Sequence, residues 1–405
     1  MPFSGKRLLL GVSGGIAAYK AAAVVRRLVT AGARVKVMMT ASAREFVTPL
    51  TFAALSGEPV AIELFGPGAH PLEHISLGQE VDAILIAPAT ANIIGKLAAG
   101  LGDDLLSTVM LAATRPVLLC PAMNDQMWAN PVVQENLERL RQRGYRILDP
   151  ASGSLACGAV GLGRLPEPDI IVEALAALVT PQDLAGRRLL ITAGPTHEDL
   201  DPVRFLTNRS TGKMGFWVAR VAGRRGAAVT LVSGPSALAA PVGVKLVPVR
   251  SARDMLAAVQ ERFTGSDALI MAAAVGDYRP QSLAERKLKR GPEQLEVRLT
   301  QNPDILKALS PLKTRQIVIG FAAETGSLVA EAKRKLTEKN LDLIVANEVN
   351  RPDAGFAVDT NEVTLVAREG APVALPLMSK EEVADRILDW LVQALEARPG
   401  RQGHG

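Results

Sequence analysis

The stretch RLLLGVSGGIAAYK, Arg7 to Lys20, reads as a strand that runs through a glycine turn into a helix. Arg7 to Val12 is a short apolar run, Gly14 and Gly15 break it, and a helical pattern follows from about Ile16 to Ala31. Val35 to Met39 is the next apolar run. A β-loop-α-β unit of this kind predicts a parallel sheet with helices on both faces. The same reading predicts strands at Ala83 to Ala87 and Val117 to Cys120, with helices at Ala91 to Leu101 and Pro131 to Arg143.

A second cycle begins at Arg188. Its strands are expected at Leu189 to Thr192, Ala228 to Val232, Leu246 to Val249, Ala268 to Ala272, Ile317 to Phe321 and Leu343 to Ala346. Its helices are expected near Lys213 to Arg225, Arg253 to Phe263, Leu328 to Lys339 and Lys380 to Ala397. Thr180 to Gly186 is a polar Pro/Gly stretch fit for a linker, and Arg398 to Gly405 reads as a disordered polar tail. The expected fold class is α/β: two Rossmann-like parallel-sheet domains in tandem, 1–182 and 183–405.

A chain of 405 residues is too long for one typical core. An apolar content of 48% and a charged content of 21% describe an ordinary soluble globular protein. The net charge of +5 suits anionic small molecules. There is no dense basic run with interleaved aromatics, so no nucleic-acid partner is expected. No apolar run reaches the length of a membrane span. Two cysteines make no disulfide framework, which points to free thiols in a reducing cytoplasm.

The loop Gly11 to Lys20 departs from G-x-G-x-x-G, and the second strand ends in Met39-Thr40-Ala41-Ser42 without the acidic residue that holds an adenosine ribose. Hydroxyls there suit a phosphate or a ribityl chain. By itself the loop fits a flavin mononucleotide (FMN) site, an NAD site or plain packing. His74, in PLEHISL, read alone is a capping or packing residue. Thr90 and Asn92 follow a strand end and can hydrogen-bond a polar ring edge. Cys120 reads as a buried, inert strand residue. Cys157 lies in SGSLACGAVGLGR, Ser152 to Arg164, where core packing does not account for a thiol among so many glycines. A lid that delivers a thiol proton fits, with Arg164 adding positive charge beside an anionic ligand.

Taken together, His74, the Pro121-Ala122-Met123-Asn124 motif and the Ala156-Cys157-Gly158 flap resemble the flavin-containing cysteine decarboxylases, in particular the phosphopantothenoylcysteine decarboxylases, over residues 5–175. The resemblance implies FMN held by Ser13, Gly14, Gly15, Thr40, Ser42, Thr90 and Asn92. It implies His74 as acid/base, Asn124 on the substrate carboxylate and Cys157 as a late proton donor. The flavin would oxidise the substrate thiol, so that the carbanion left by CO2 loss is stabilised as an enethiolate.

The second half carries ITAGPTHEDLDPVRFLTNRSTGKMG, Ile191 to Gly215. Small and cationic residues before a helix suit an anion, although the G-x-x-x-x-G-K-[ST] spacing of a Walker loop is missing. Pro195 to Thr211 reads as one long polar loop. The string resembles the phosphopantothenate–cysteine ligase family over residues 186–395, with further matches at Ala272 to Tyr278, Lys287 to Arg290, Asn302 to Ile305 and Gly320 to Thr325. The whole chain thus resembles fused bacterial coenzyme A enzymes.

The ligase resemblance implies CTP activation of 4′-phosphopantothenate as an acyl-cytidylate, followed by coupling to cysteine. It implies Asn208 and Lys287 as catalytic residues, with Asn208 donating to the acyl-cytidylate carbonyl. It implies Asp277 on Mg2+ or a nucleotide hydroxyl. Ala273, Asp277, Lys287, Asn302, Pro303, Asp304, Ile305, Phe321, Lys335 and Lys339 are the implied nucleotide site. Alone, Lys335 and Lys339 would be a solvated helix face. His197 and Arg290 depart from the Arg and Lys usual in that family. The decarboxylase family forms trimers and the ligase family dimers, which implies a homo-oligomer of trimers joined by dimer contacts. Two other readings stand beside this one: a single NAD(P)-dependent oxidoreductase, and a non-catalytic flavin-binding regulatory protein.

Overall fold

The first strand, Arg7–Val12 (β1), sorts its side chains by parity. Leu8, Leu10 and Val12 enter one apolar cluster and Leu9 enters another. A strand buried on both faces needs helices on both, and the chain supplies them. A computed structural model describes residues 2–64, 72–154, 160–289, 295–324, 328–348 and 358–398. It divides into two compact units, Met1–Pro181 and Gln182–Gly405.

In the first unit β1 is followed by α1 (Ala18–Thr30), β2 (Arg34–Met39), α2 (Pro49–Ser56), α3 (Glu73–Gln79), β3 (Ala83–Ala89), α4 (Ala91–Ala99) and α5 (Leu105–Ala112). Then come β4 (Val117–Pro121), α6 (Asp125–Ala129), α7 (Pro131–Gln142), β5 (Arg146–Ile147), β6 (Ala151–Ser154), β7 (Val160–Arg164) and α8 (Pro168–Val179). The five-stranded sheet is wholly parallel, in the order β2-β1-β3-β4-β5. Helices α1 and α8 cover one face and α4, α5 and α7 the other. The strand order reverses between β1 and β3, the flavodoxin-like arrangement, whose ligands sit outside the carboxyl ends of the strands at that reversal. Strands β6 and β7 form a separate antiparallel hairpin.

The second unit runs β8 (Arg188–Ala193), β9 (His197–Asp199), β10 (Phe205–Thr207), α9 (Lys213–Arg224), β11 (Ala228–Ser233), β12 (Lys245–Pro248), α10 (Ala252–Phe263) and β13 (Ala268–Met271). It continues with β14 (Tyr278–Pro280), β15 (Leu299–Gln301), α11 (Ile305–Leu309), β16 (Ile317–Glu324), α12 (Leu328–Glu338), β17 (Leu343–Glu348), β18 (Thr360–Ala367), β19 (Val373–Ser379) and α13 (Lys380–Glu396). Its eight-stranded sheet has the order β12-β11-β8-β13-β16-β17-β18-β19. The first six strands are parallel in the Rossmann order, which reverses between β8 and β13. Strands β18 and β19 extend the parallel sheet by antiparallel pairing, and Pro376 sits in the edge strand, where its missing N–H removes no ladder bond.

Two features differ from the sequence expectation. The segment Pro195 to Thr211 is not one loop: it holds the antiparallel hairpin β9/β10. Arg398 is not free tail, because its guanidinium pairs with Asp342 at 3.0 Å.

Helix α9 lies close on the first strand of the second unit because Gly215 has no side chain. A Cβ there would stand 2.6 Å from Ala193 Cβ and 2.8 Å from Thr192 O. Gly215→Ala is therefore expected to destabilise the second unit by about 1–3 kcal/mol, despite the higher helix propensity of alanine. Calorimetry would read a lowered transition; an unchanged midpoint would contradict this packing.

Candidate functional site

Ser13 closes β1 and is 1% exposed. Its Oγ donates to Pro88 O at 2.8 Å and accepts from Thr90 N–H at 3.0 Å. One hydroxyl thus joins the loop after β1 to the loop after β3, across the strand-order reversal. Thr90 also caps α4, accepting from Ile93 N–H, and Thr40 caps the turn Ala41–Glu45, accepting from Ala43 N–H.

Around this junction opens a cavity of about 1090 Å3, at the upper end of the range of small-molecule sites. Ser13, Gly14, Gly15, Thr40, Ser42, Thr90, Asn92 and Asn124 all line it. Ile16, Met123, Met127 and Leu165 supply apolar wall. Gly14 is required by close approach, since a Cβ there would stand 2.3 Å from Ser42 Cβ. Asn124 caps α6, its Oδ1 accepting from Gln126 N–H at 2.9 Å. A flat apolar ring, a hydroxylated chain and an anionic end match this set of donors and walls.

Two other residues of the cavity, Lys20 and Lys96, lack a motif that would have marked them, whereas Arg164 is the flap arginine expected from the sequence. Lys20 is buried, and its ammonium donates to Leu165 O at 3.0 Å and pairs with Glu167 at 2.9 Å. Lys96 pairs with Asp103 at 2.7 Å and Asp104 at 2.9 Å, which raises its pKa. Arg164 lines the cavity and pairs with Glu167 at 2.8 Å. His74 stands half-buried on α3 and is not among the described residues that line the cavity. Cys157 lies outside the described residues. Cys120 is buried in β4, and that burial pushes its thiol pKa up, as an inert thiol requires.

In the second unit the reversal between β8 and β13 is joined in the same manner. Thr192 Oγ1 accepts from Ala273 N–H at 3.1 Å, and Thr196 Oγ1 accepts from Gly276 N–H at 2.9 Å. Asn208 donates its amide hydrogens to Ala274 O at 3.1 Å and Val275 O at 3.2 Å. In this state its amide shapes the 274–275 turn. Asp277 is exposed just beyond that turn, and its carbonyl accepts from Asn302 N–H at 2.8 Å. Asn302 Nδ2 donates to Gly276 O at 2.8 Å, which holds Asn302 to Ile305 beside Asp277.

Asp304 caps α11 and pairs with Lys339 at 2.9 Å. Burial pushes its carboxyl up, but Lys339 and the Lys307 N–H outweigh this and hold it below the ordinary value. Ala273 lies just past the end of β13, whereas Phe321 is inside β16, paired with Val345 of β17. Lys335 is half-buried on α12 and Lys287 is exposed. Arg290 lies outside the described residues. His197 stacks on Phe205 at 3.8 Å between ring centroids, and burial together with the Arg250 charge lowers its pKa, so it is neutral near pH 7.

A family profile described as "Flavoprotein" matches residues 2–180. Another, "DNA/pantothenate metabolism flavoprotein C-terminal domain", matches residues 184–395. The chain is 48% identical over 389 residues to "Coenzyme A biosynthesis bifunctional protein CoaBC" of Vibrio cholerae serotype O1, covering 95% of this chain and 97% of the relative. The chain belongs to the family of coenzyme A biosynthesis bifunctional proteins. The Bacillus subtilis relative of the same name is 48% identical over 402 residues, covering 98% of this chain and 99% of the relative. Among solved structures, the C-terminal domain of a protein of that name is 44% identical, covers 54% of this chain and 100% of that domain, and has a TM-score of 0.47.

The family is one of flavoproteins, and the cavity of the first unit fits a flavin. Gly14→Ala is expected to close the loop's approach to Ser42 at a cost of about 1–3 kcal/mol, roughly tenfold or more in flavin affinity. The visible absorbance of the purified variant reads this directly. Full flavin occupancy would contradict the placement.

Proposed function

We propose that the chain makes 4′-phosphopantetheine in two steps of coenzyme A biosynthesis. It couples cysteine to 4′-phosphopantothenate through an acyl-cytidylate, converting CTP to CMP and diphosphate. It then decarboxylates phosphopantothenoylcysteine with FMN. The observation that carries the reading is the match to bifunctional relatives over nearly their whole length. No motif for an NAD(P) oxidoreductase competes with it, and a purely regulatory flavin binder has no use for the second unit.

In the decarboxylase, bound FMN supplies thiol oxidation and its reversal. The chain's own residues bind and orient. The Ser13 to Gly15 loop, the hydroxyls of Thr40, Ser42 and Thr90, and Asn92 line the cavity and would hold the cofactor. Asn124 holds the substrate carboxylate at the cavity wall, Cys157 delivers the late proton, and His74 moves a proton near neutral pH. His74 is not among the described residues that line its own chain's cavity, and Ile16, Tyr19 and Leu50 are exposed apolar residues of the first unit. Both observations fit a homo-oligomer in which copies share sites; its trimer-plus-dimer form is what the resemblance to the two families implies.

In the ligase, Asp277, Lys287, Lys335, Lys339 and the Asn302 to Ile305 turn meet the nucleotide at the carboxyl edge of the sheet. Among the described residues no group of three or more His, Cys, Asp or Glu is placed to hold a metal. Mg2+ that arrives on triphosphate oxygens needs only one or two carboxylates, and Asp277 offers one. No described helix is long and apolar enough to cross a membrane, and a cytoplasmic location fits the substrates.

Incubation with 4′-phosphopantothenate, cysteine, CTP and Mg2+ should yield 4′-phosphopantetheine, CO2, CMP and diphosphate in equal amounts. Absence of CTP-dependent diphosphate release would overturn the ligase reading. Cys157→Ser should retain flavin and release CO2 but accumulate an unsaturated enethiol product, because a hydroxyl is a far weaker proton donor than a thiol. Mass spectrometry of the product separates the outcomes, and full conversion to phosphopantetheine would remove Cys157 from the proton path.

A further inference from the structure

The turn between β9 and β10 carries a carboxylate that nothing above uses. Asp201 is 1% exposed. Its Oδ1 accepts from Val203 N–H at 2.8 Å and from Arg204 N–H at 2.7 Å, which is the ordinary way an Asp closes its own turn. Its Oδ2 accepts from Leu288 N–H at 3.1 Å and lies 3.8 Å from the Arg204 guanidinium of its own turn. Leu288 follows Lys287 in the basic loop. The same turn takes a second bond from that loop, Ala284 N–H to Leu200 O at 3.1 Å.

A buried carboxylate is costly unless its oxygens are hydrogen-bonded. Closing the turn needs only Oδ1; Oδ2 takes its one hydrogen bond from the basic loop, with the half-exposed Arg204 guanidinium as a longer ion pair beside it. Burial pushes the Asp201 carboxyl up, but the three backbone N–H groups, with the Arg204 charge, outweigh it and hold the group below the ordinary range. Strand β10 then leads from this turn to Asn208, which shapes the 274–275 turn. One hairpin therefore braces both the Asn208 side and the Lys287 side of the proposed ligase site.

We propose that Asp201 is a positioning residue of the ligase, and that its Oδ2 holds the backbone at Leu288 so that Lys287 is presented to the phosphate anion of CTP or of the acyl-cytidylate. The proposal rests on the assignment of Lys287 to that anion. Asp201 itself touches no substrate and acts through the loop.

The test uses the full chain, with diphosphate release measured against CTP concentration. Nucleotide-free decarboxylation of phosphopantothenoylcysteine and the melting transition serve as controls. Asp201→Asn keeps an oxygen for Val203 and Arg204 but turns an amide N–H toward Leu288. Asp201→Ser keeps a hydroxyl to close the turn and reaches nothing in the loop. Each is expected to lower kcat/KM for CTP about tenfold, with decarboxylation and melting unchanged. Lys287→Gln is expected to lower it at least as far. In the Lys287→Gln background, Asp201→Asn should add less than a twofold further loss, because both changes remove one contact.

Wild-type kcat/KM for CTP in both Asp201 variants would overturn the proposal. So would a full tenfold further loss in the Lys287→Gln background, or a loss of melting temperature in both Asp201 variants that tracks the activity. If Lys287→Gln alone retained wild-type ligation, the assignment of Lys287 would fail, and that result is distinct from a failure of Asp201.

Discussion

Everything at the two sites depends on closing the gap that a parallel sheet leaves where its strand order reverses. The loops leaving the two strands there run to opposite faces, so their backbone groups lose ladder partners at the same point. Short hydroxyl side chains satisfy them. In the first unit Ser13 bonds Pro88 O and Thr90 N–H. In the second, Thr192 and Thr196 take Ala273 and Gly276 N–H, while Gly194 O accepts from Ala274 N–H at 2.9 Å. These bonds fix the loop geometry, and in the first unit that geometry leaves a concave opening at the carboxyl edge.

The two sites suit different chemistries. The first is walled by glycine, hydroxyl and apolar side chains, which accommodate a planar cofactor and leave few charges beside it. The lysines nearest to it, Lys20 and Lys96, are already paired with carboxylates. The second is proposed to draw on Asp277, Lys287 and the Lys339–Asp304 pair, a set whose charges suit a triphosphate and the charge developing on an acyl phosphate. Since the ligase product is the decarboxylase substrate, one chain carrying both sites turns phosphopantothenate into phosphopantetheine without a further enzyme.

The parallel strands are legible because burial on both faces makes them nearly continuous apolar runs; β3, Ala83–Ala89, is buried at every position. The hairpin β9/β10 is not legible. Its strands, HED and FLT, are too short for periodicity, and they are held by contacts remote in sequence, such as His197 N–H to Arg250 O. The cavity residues Ser13, Thr90 and Asn92 could be named because they follow strand ends. Lys20 could not, because a lysine in a helix gives no sign that its ammonium is buried against Glu167. Asp201 stood inside a recognisable string, yet its bond to Leu288 joins segments far apart in the chain and appears only in the fold.

The most direct test of the account is to separate the two chemistries at the junction of the compact units. Residues 1–182 and 183–405 would be expressed apart and assayed for flavin absorbance, decarboxylation and CTP-dependent diphosphate release. The account predicts a yellow first fragment that decarboxylates phosphopantothenoylcysteine without nucleotide, and a colourless second fragment that consumes CTP with phosphopantothenate and cysteine. Flavin bound to the second fragment, or CTP consumption by the first, would contradict it.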